Sequence, residues 1–179
     1  GDGSDDIVMN AGTVIDAGAG TITLSTAGAN GGSIALGQLT TANATTTAVT
    51  LTSNAAVTDN NAGTTNVTAG GRLVVDAVSG VGSADALETA VASIDIDNST
   101  SGNILITEAD AITVIRLASA VADDDDGTTG QINLGTTNGG ITVDVTGTGV
   151  TAVDGNIILD ANGTNSDLTV NQVVQTTNP

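Results

Sequence analysis

A five-residue pattern recurs along the chain: glycine, any residue, isoleucine or leucine, any residue, then an aliphatic. It starts seven times, at Gly20, Gly32, Gly71, Gly102, Gly130, Gly139 and Gly155. The composition gives roughly one such match by chance, so the pattern marks period-two strands, each entered through a turn glycine. The spacing of the aliphatics constrains the fold further. Ile22, Val49, Leu73, Ile104, Ile132 and Ile157 form one series, with steps of 27, 24, 31, 28 and 25 residues. Ile34, Val57, Val81, Ile112, Ile141 and Leu168 form a second, and Ile15, Leu39, Val67, Ile94, Val121 and Val150 a third. Three interleaved strands per 24 to 31 residues predict a three-faced, right-handed parallel β-helix of about six coils. At the usual strand spacing its core is a rod roughly 30 Å long. An antiparallel β-sandwich is the alternative, though its usual aromatic core anchors are missing. The 179 residues read as a single solenoid domain, a segment or subunit of a longer array.

Composition fits a narrow aliphatic coil. There is no Phe, Trp, Tyr, His or Cys, and the two basic residues, Arg72 and Arg116, face twenty acidic ones for a net charge of −18. Without His, Cys or Lys the usual nucleophile systems, thiolate or imidazole metal sites and Schiff-base chemistry are excluded. So acidic a chain is a poor partner for nucleic acid or an anionic membrane, and no run is long enough to insert in one. The stretch Ser83 to Ile94 is compatible with a helical turn, but a loop leading into a strand at Val91–Ile96 is the favoured reading.

The segments Gly80-Val81-Gly82-Ser83-Ala84-Asp85-Ala86-Leu87-Glu88-Thr89-Ala90-Val91, Thr100-Ser101-Gly102-Asn103-Ile104 and Thr107-Glu108-Ala109-Asp110-Ala111-Ile112-Thr113-Val114 carry a resemblance. They resemble blocks in filamentous-haemagglutinin-like β-helical adhesins and giant bacterial β-strand-repeat surface proteins. The detailed likeness covers residues 80 to 114, and the looser coil grammar nearly the whole chain. It implies a right-handed β-helix exposed outside the cell as a stalk or adhesive rod, and it carries over no catalytic or binding residue.

Candidate sites are few. Gly1-Asp2-Gly3-Ser4-Asp5-Asp6-Ile7 resembles the latter part of the calcium-binding nonapeptide of RTX β-rolls, in which Asp5 would be a ligand. It occurs here as a single repeat, so a solvated acidic terminus is the competing reading. Asp123, Asp124, Asp125 and Asp126 concentrate four carboxylates in one turn, whose repulsion a Ca²⁺ ion would relieve; a hydrated loop is the plainer reading. Asp95 and Asp97 share the outward face of one strand. They could be the acid pair of a polysaccharide-active enzyme, but no aromatic is present to stack a sugar. Asn43, Asn66, Asn98 and Asn162 begin N-x-[ST] sequons at about the frequency that chance provides. The Thr runs show no register of the flat kind that ice-binding solenoids need.

Neither end reads as a solenoid cap, so neighbouring repeats or other copies are expected to meet the chain end to end. The expected function is a non-catalytic structural or adhesive extracellular rod on a bacterial surface, one that needs no cofactor and has a host or cell-surface ligand as a further partner. The alternative is a Ca²⁺-dependent module that recognises a partner or glycan.

Overall fold

The computed structural model describes residues 5–26, 28, 31–122 and 128–177. Among them there is no helix, and every strand pairing is parallel: the chain is a right-handed β-solenoid of about seven turns rather than six. The first coil holds β1 (Ile7–Val8), β2 (Val14–Asp16) and β3 (Ile22–Ser25); the second holds β4 (Ile34–Leu36), β5 (Gln38–Thr41) and β6 (Val49–Thr52). In the third coil β7 (Val57–Asp59) precedes the long β8 (Val67–Ala77), and in the fourth Val81 bridges Val57 below and Ile104 above before β9 (Leu87–Asn98). The fifth has β10 (Ile104–Glu108) and β11 (Ile112–Ser119), and the sixth β12 (Ile132–Thr136), β13 (Ile141–Val143) and β14 (Gly149–Ala152). The last has β15 (Ile157–Asp160), β16 (Leu168–Val170) and β17 (Val174–Thr176). The antiparallel sandwich is therefore excluded.

The recurrent glycine pattern marks strand starts. β3, β4, β10, β12, β13 and β15 each begin two residues after such a glycine, and Gly71 lies in β8 at a bulge. Gly32, Gly71, Gly102, Gly139 and Gly155 sit where successive coils come closest. A Cβ on Gly155 would fall 2.3 Å from the carbonyl carbon of Gly130, and one on Gly71 2.3 Å from the Thr45 carbonyl oxygen. Neither contact is sterically possible, so any side chain there forces two coils apart.

Inward side chains stack in columns. One runs Ile7, Ile34, Val57, Val81, Ile104, Ile132, Ile157. On another side Ile22, Val49, Leu73, Ile94, Val114 and Val143 lie under Val170, beside Leu24, Leu51, Val75, Ile96, Leu117 and Val150 under Val174. Inside the rod these residues are fully buried, and the aliphatic core needs no ring.

The spacing reading needs correction in the middle of the chain. Ile22–Val49–Leu73 and Ile104–Ile132–Ile157 are each true ladders, but they belong to different sides. Leu73 pairs with Ile94, only 21 residues on, and Val81 bridges Ile104. The two 31-residue steps are the points where the first and second series jump from one side to another. The third series holds as far as Val67 and then continues through Thr89, Glu108 and Thr136, which no search for aliphatics would select. Residues 83–86 form a loop into β9, which starts at Leu87 rather than Val91, so the helical alternative is not realised.

Candidate functional site

Both arginines lie on one outward patch of β8, β9 and β11, and the reason is electrostatic. Alternation along β9 turns Asp95 and Asp97 outward, and the register places Asp97 directly on Asp76 of the coil before. Of all the strand registers among the described residues, this is the one that stacks carboxylate on carboxylate. At ~4.8 Å such a pair repels by roughly 1 to 3.5 kcal/mol, for an effective dielectric between about 80 and 20. Arg116, the register partner of Asp95 in the next coil, answers this repulsion. Its Nε donates to Asp95 Oδ1 at 2.7 Å, its Nη1 to Asp97 Oδ2 at 2.6 Å, and its Nη2 reaches Asp76 Oδ1 at 3.4 Å. Arg72 adds a longer contact, 3.9 Å, to Asp95 Oδ2. Partial burial works against the Arg116 charge, but the Asp95 hydrogen bond and the charges of Asp95, Asp97 and Asp76 hold the guanidinium above its ordinary value. The patch is flanked by open grooves of about 290 Å³, lined by Thr52, Asn54, Asp76, Asp97 and Ser99, and about 260 Å³, lined by Asp95, Arg116 and Thr146. Asp95 has an arginine at each oxygen, so Asp95 and Asp97 make ion pairs rather than a free acid–base pair.

The interior holds polar side chains that the sequence reading passed over. Glu108, 0% exposed, lies in the column between Thr89 and Thr136. The Thr89 hydroxyl donates to its Oε2 at 2.7 Å, and the amides of Val91 and Asp110 donate from 3.3 Å. Burial pushes its carboxyl above the usual range, while these donors pull it part of the way back. Glu88 is raised too, by desolvation and then by the charge of Asp59. At another corner Thr26, Ser53 and Asn98 share one inward column, with Ala77 between the last two, and bond the turns that start coils. Thr26 and Ser53 donate to the Gly32 carbonyl. Asn98 accepts from the Gly80 amide at 2.8 Å and donates to the carbonyls of Ser101 and Gly102 at 3.0 and 3.1 Å. Asn66 and Asn98 are thus buried structural residues, whereas the sequon at Asn162 is exposed.

Asp5 is exposed on the lead-in to β1. Asp123, Asp124, Asp125 and Asp126 lie outside the described residues. Among the described residues no three or more Asp, Glu, His or Cys side chains converge to hold a metal. Nor, among them, is any helix long and apolar enough to cross a membrane.

The coils at the two ends leave strand edges open. Among the described residues β15, β16 and β17 each pair on one edge, as do β1, β2 and β3. Leu168 and Val170 are 45% and 50% exposed, whereas Ile141 and Val143 beneath them are fully buried. Val8, Val14 and Ile15 are exposed at the other end.

The fold defines a β-helical repeat protein, with one charge-compensated outward patch. No protein-family model matches the chain, and no curated protein or solved structure matches it significantly.

Proposed function

We propose that the chain is a non-catalytic, load-bearing section of an extracellular β-solenoid rod, the stalk or adhesive shaft of a bacterial surface protein. The observation that carries this reading is the set of parallel ladders that run the length of the rod. Every coil is joined to the next by backbone hydrogen bonds on several sides, so force along the axis is shared among ladders rather than borne by a single contact. The outward surface supports it: the flanking grooves are shallow, the side chains are hydroxyls, amides and carboxylates, and both arginines are engaged with Asp. A high negative charge keeps such a rod soluble. The test is antibody labelling of cells that make the protein. Labelling of intact cells supports the reading, and labelling only after permeabilisation refutes it.

A further inference from the structure

The inward column that runs Ile15, Leu39, Val67 turns polar for the next three coils, as Thr89, Glu108 and Thr136. The middle one is a carboxyl inside an aliphatic rod, at the corner where β10 gives way to β11. The pairing of β9 with the fifth coil has a gap at the same corner. β9 pairs with β10 through Leu87, Glu88 and Thr89, and with β11 from Ser93 onward. Among the described residues Ala90, Val91 and Ala92 have no strand partner in that coil. The Glu108 side chain fills the gap. From the fourth coil the Val91 amide donates to both of its oxygens at 3.3 Å and the Thr89 hydroxyl to Oε2 at 2.7 Å. From the fifth the Asp110 amide donates to Oε1 at 3.3 Å. An ionisable side chain thus closes the seam between two coils where the backbone ladder is interrupted.

No cation balances this carboxyl. β9 carries Glu88 on its other face, the corner after β10 carries Asp110 with its side chain exposed, and β12 is uncharged along its whole length. Arg116 of β11 and Arg72 of β8 are both engaged with Asp95 on the outward patch. The Thr136 hydroxyl, next in the column, donates to the Gly139 carbonyl instead. Three neutral donors do not make up for the water that an ionised carboxylate loses here, and burial holds the group above its ordinary value. Ionisation therefore favours any opening that lets water reach Glu108, and protonation removes that drive. We propose that the Glu108 corner is a proton-operated clasp between the fourth and fifth coils, closed when the carboxyl carries a proton and opening locally when it ionises. β9 stays paired with β8 below it through Thr89, Ala90 and Val91, and β10 with β12 above it over its full length, so the opening is confined to this seam. The clasp goes beyond the rod reading and does not depend on where the protein resides.

The test is amide hydrogen exchange of the whole chain, resolved by residue with NMR from mildly acidic to mildly alkaline pH. Each rate is first corrected for the pH dependence of an unprotected amide. The protection of the Val91 and Asp110 amides is expected to fall as pH rises, and to fall further than that of Val75 and Leu134, which lie in unbroken ladders. Glu108→Gln keeps an acceptor for Val91 but cannot ionise, so its corner is expected to stay equally protected throughout. Thr89→Val removes the hydroxyl that favours the carboxylate, so its loss of protection is expected to be deeper and to run to higher pH. Val91 protection that merely tracks Val75 and Leu134 overturns the proposal, since only global unfolding would then be read. A pH-dependent loss at Val91 that survives in Glu108→Gln overturns it too, and so does a Thr89→Val profile identical to wild type.

Discussion

Asn98 gives the sharpest test of how the coils are held together. Its side chain is wholly buried at a corner and makes three hydrogen bonds to backbone, one to Gly80 before its coil and two to the turn after it. In Asn98→Ala the Gly80 amide is left buried without an acceptor, at a cost of about 1–3 kcal/mol, and losing the bonds to the more accessible Ser101 and Gly102 carbonyls adds about 1 kcal/mol. The expected loss is therefore about 2–4 kcal/mol. Asn98→Asp separates the terms. It keeps the acceptor for Gly80 but points a carboxylate at two carbonyl oxygens, which raises its folded-state pKa. The stability of this variant is then full below the ordinary carboxylate range and is lost as pH rises through the folded value. With no aromatic residue there is no intrinsic fluorescence to follow, so urea unfolding is read by far-ultraviolet circular dichroism. Asn171→Ala, at an exposed position, is the control, expected within about 0.5 kcal/mol of wild type. If Asn98→Ala falls within the range of the control, or Asn98→Asp is indifferent to pH, the corner bonds do not carry the stability assigned to them.

Three further outcomes follow from the same geometry. Burial raises the carboxyls of Glu108 and Glu88 above their ordinary 4.5, so both favour the folded state below that value, and their contribution is lost as pH rises through the folded values. The melting temperature is therefore expected to fall from mildly acidic to neutral pH, with a shallower slope in Glu108→Gln; a melting temperature that rises over that range contradicts the assignment. Arg116→Gln leaves the stacked Asp76 and Asp97 uncompensated and is expected to cost about 1 kcal/mol, the exposed part being discounted, and high salt recovers part of the loss; equal losses for Arg72→Gln, whose ion pair is longer, would count against the role of Arg116. Both tryptic sites lie inside paired strands, so the native protein is expected to resist trypsin, whereas after denaturation it yields the fragments 1–72, 73–116 and 117–179, as read by mass spectrometry. Rapid cleavage of the native form at either arginine would show that these strands open readily.

The solenoid was legible in the sequence because its rule is local. A glycine and two aliphatics at alternate positions state where a strand begins and which way it faces, and six of the seven matches open a strand. The register was less legible, because it is set by the length of each coil, which is local information only when every column is aliphatic. Between Leu73 and Ile94 the coil shortens to 21 residues, and the ladder through Val67 passes to Thr89 and Glu108. A search for apolar periodicity has no reason to choose a glutamate as an inward residue. It therefore lost the column and, with it, the meeting of Asp76 and Asp97. The arginine patch was hidden for the same reason. Arg116 is 19 residues from Asp97 and 40 from Asp76, and only the true register brings the three together.

That register also shows how so acidic a chain can stack on itself at all. Parallel coils put each outward residue ~4.8 Å from its counterparts above and below, so a solenoid with twenty acids risks ladders of like charge. Along the strands the acids mostly face neutral neighbours: Asp16 lies on Thr40, Glu88 on Thr107, and Asp160 on Gly135. At the one place where two acids do coincide, an arginine sits one coil away with a nitrogen on each. Placement and compensation are thus one rule with a single exception, and the exception is where the cations are placed.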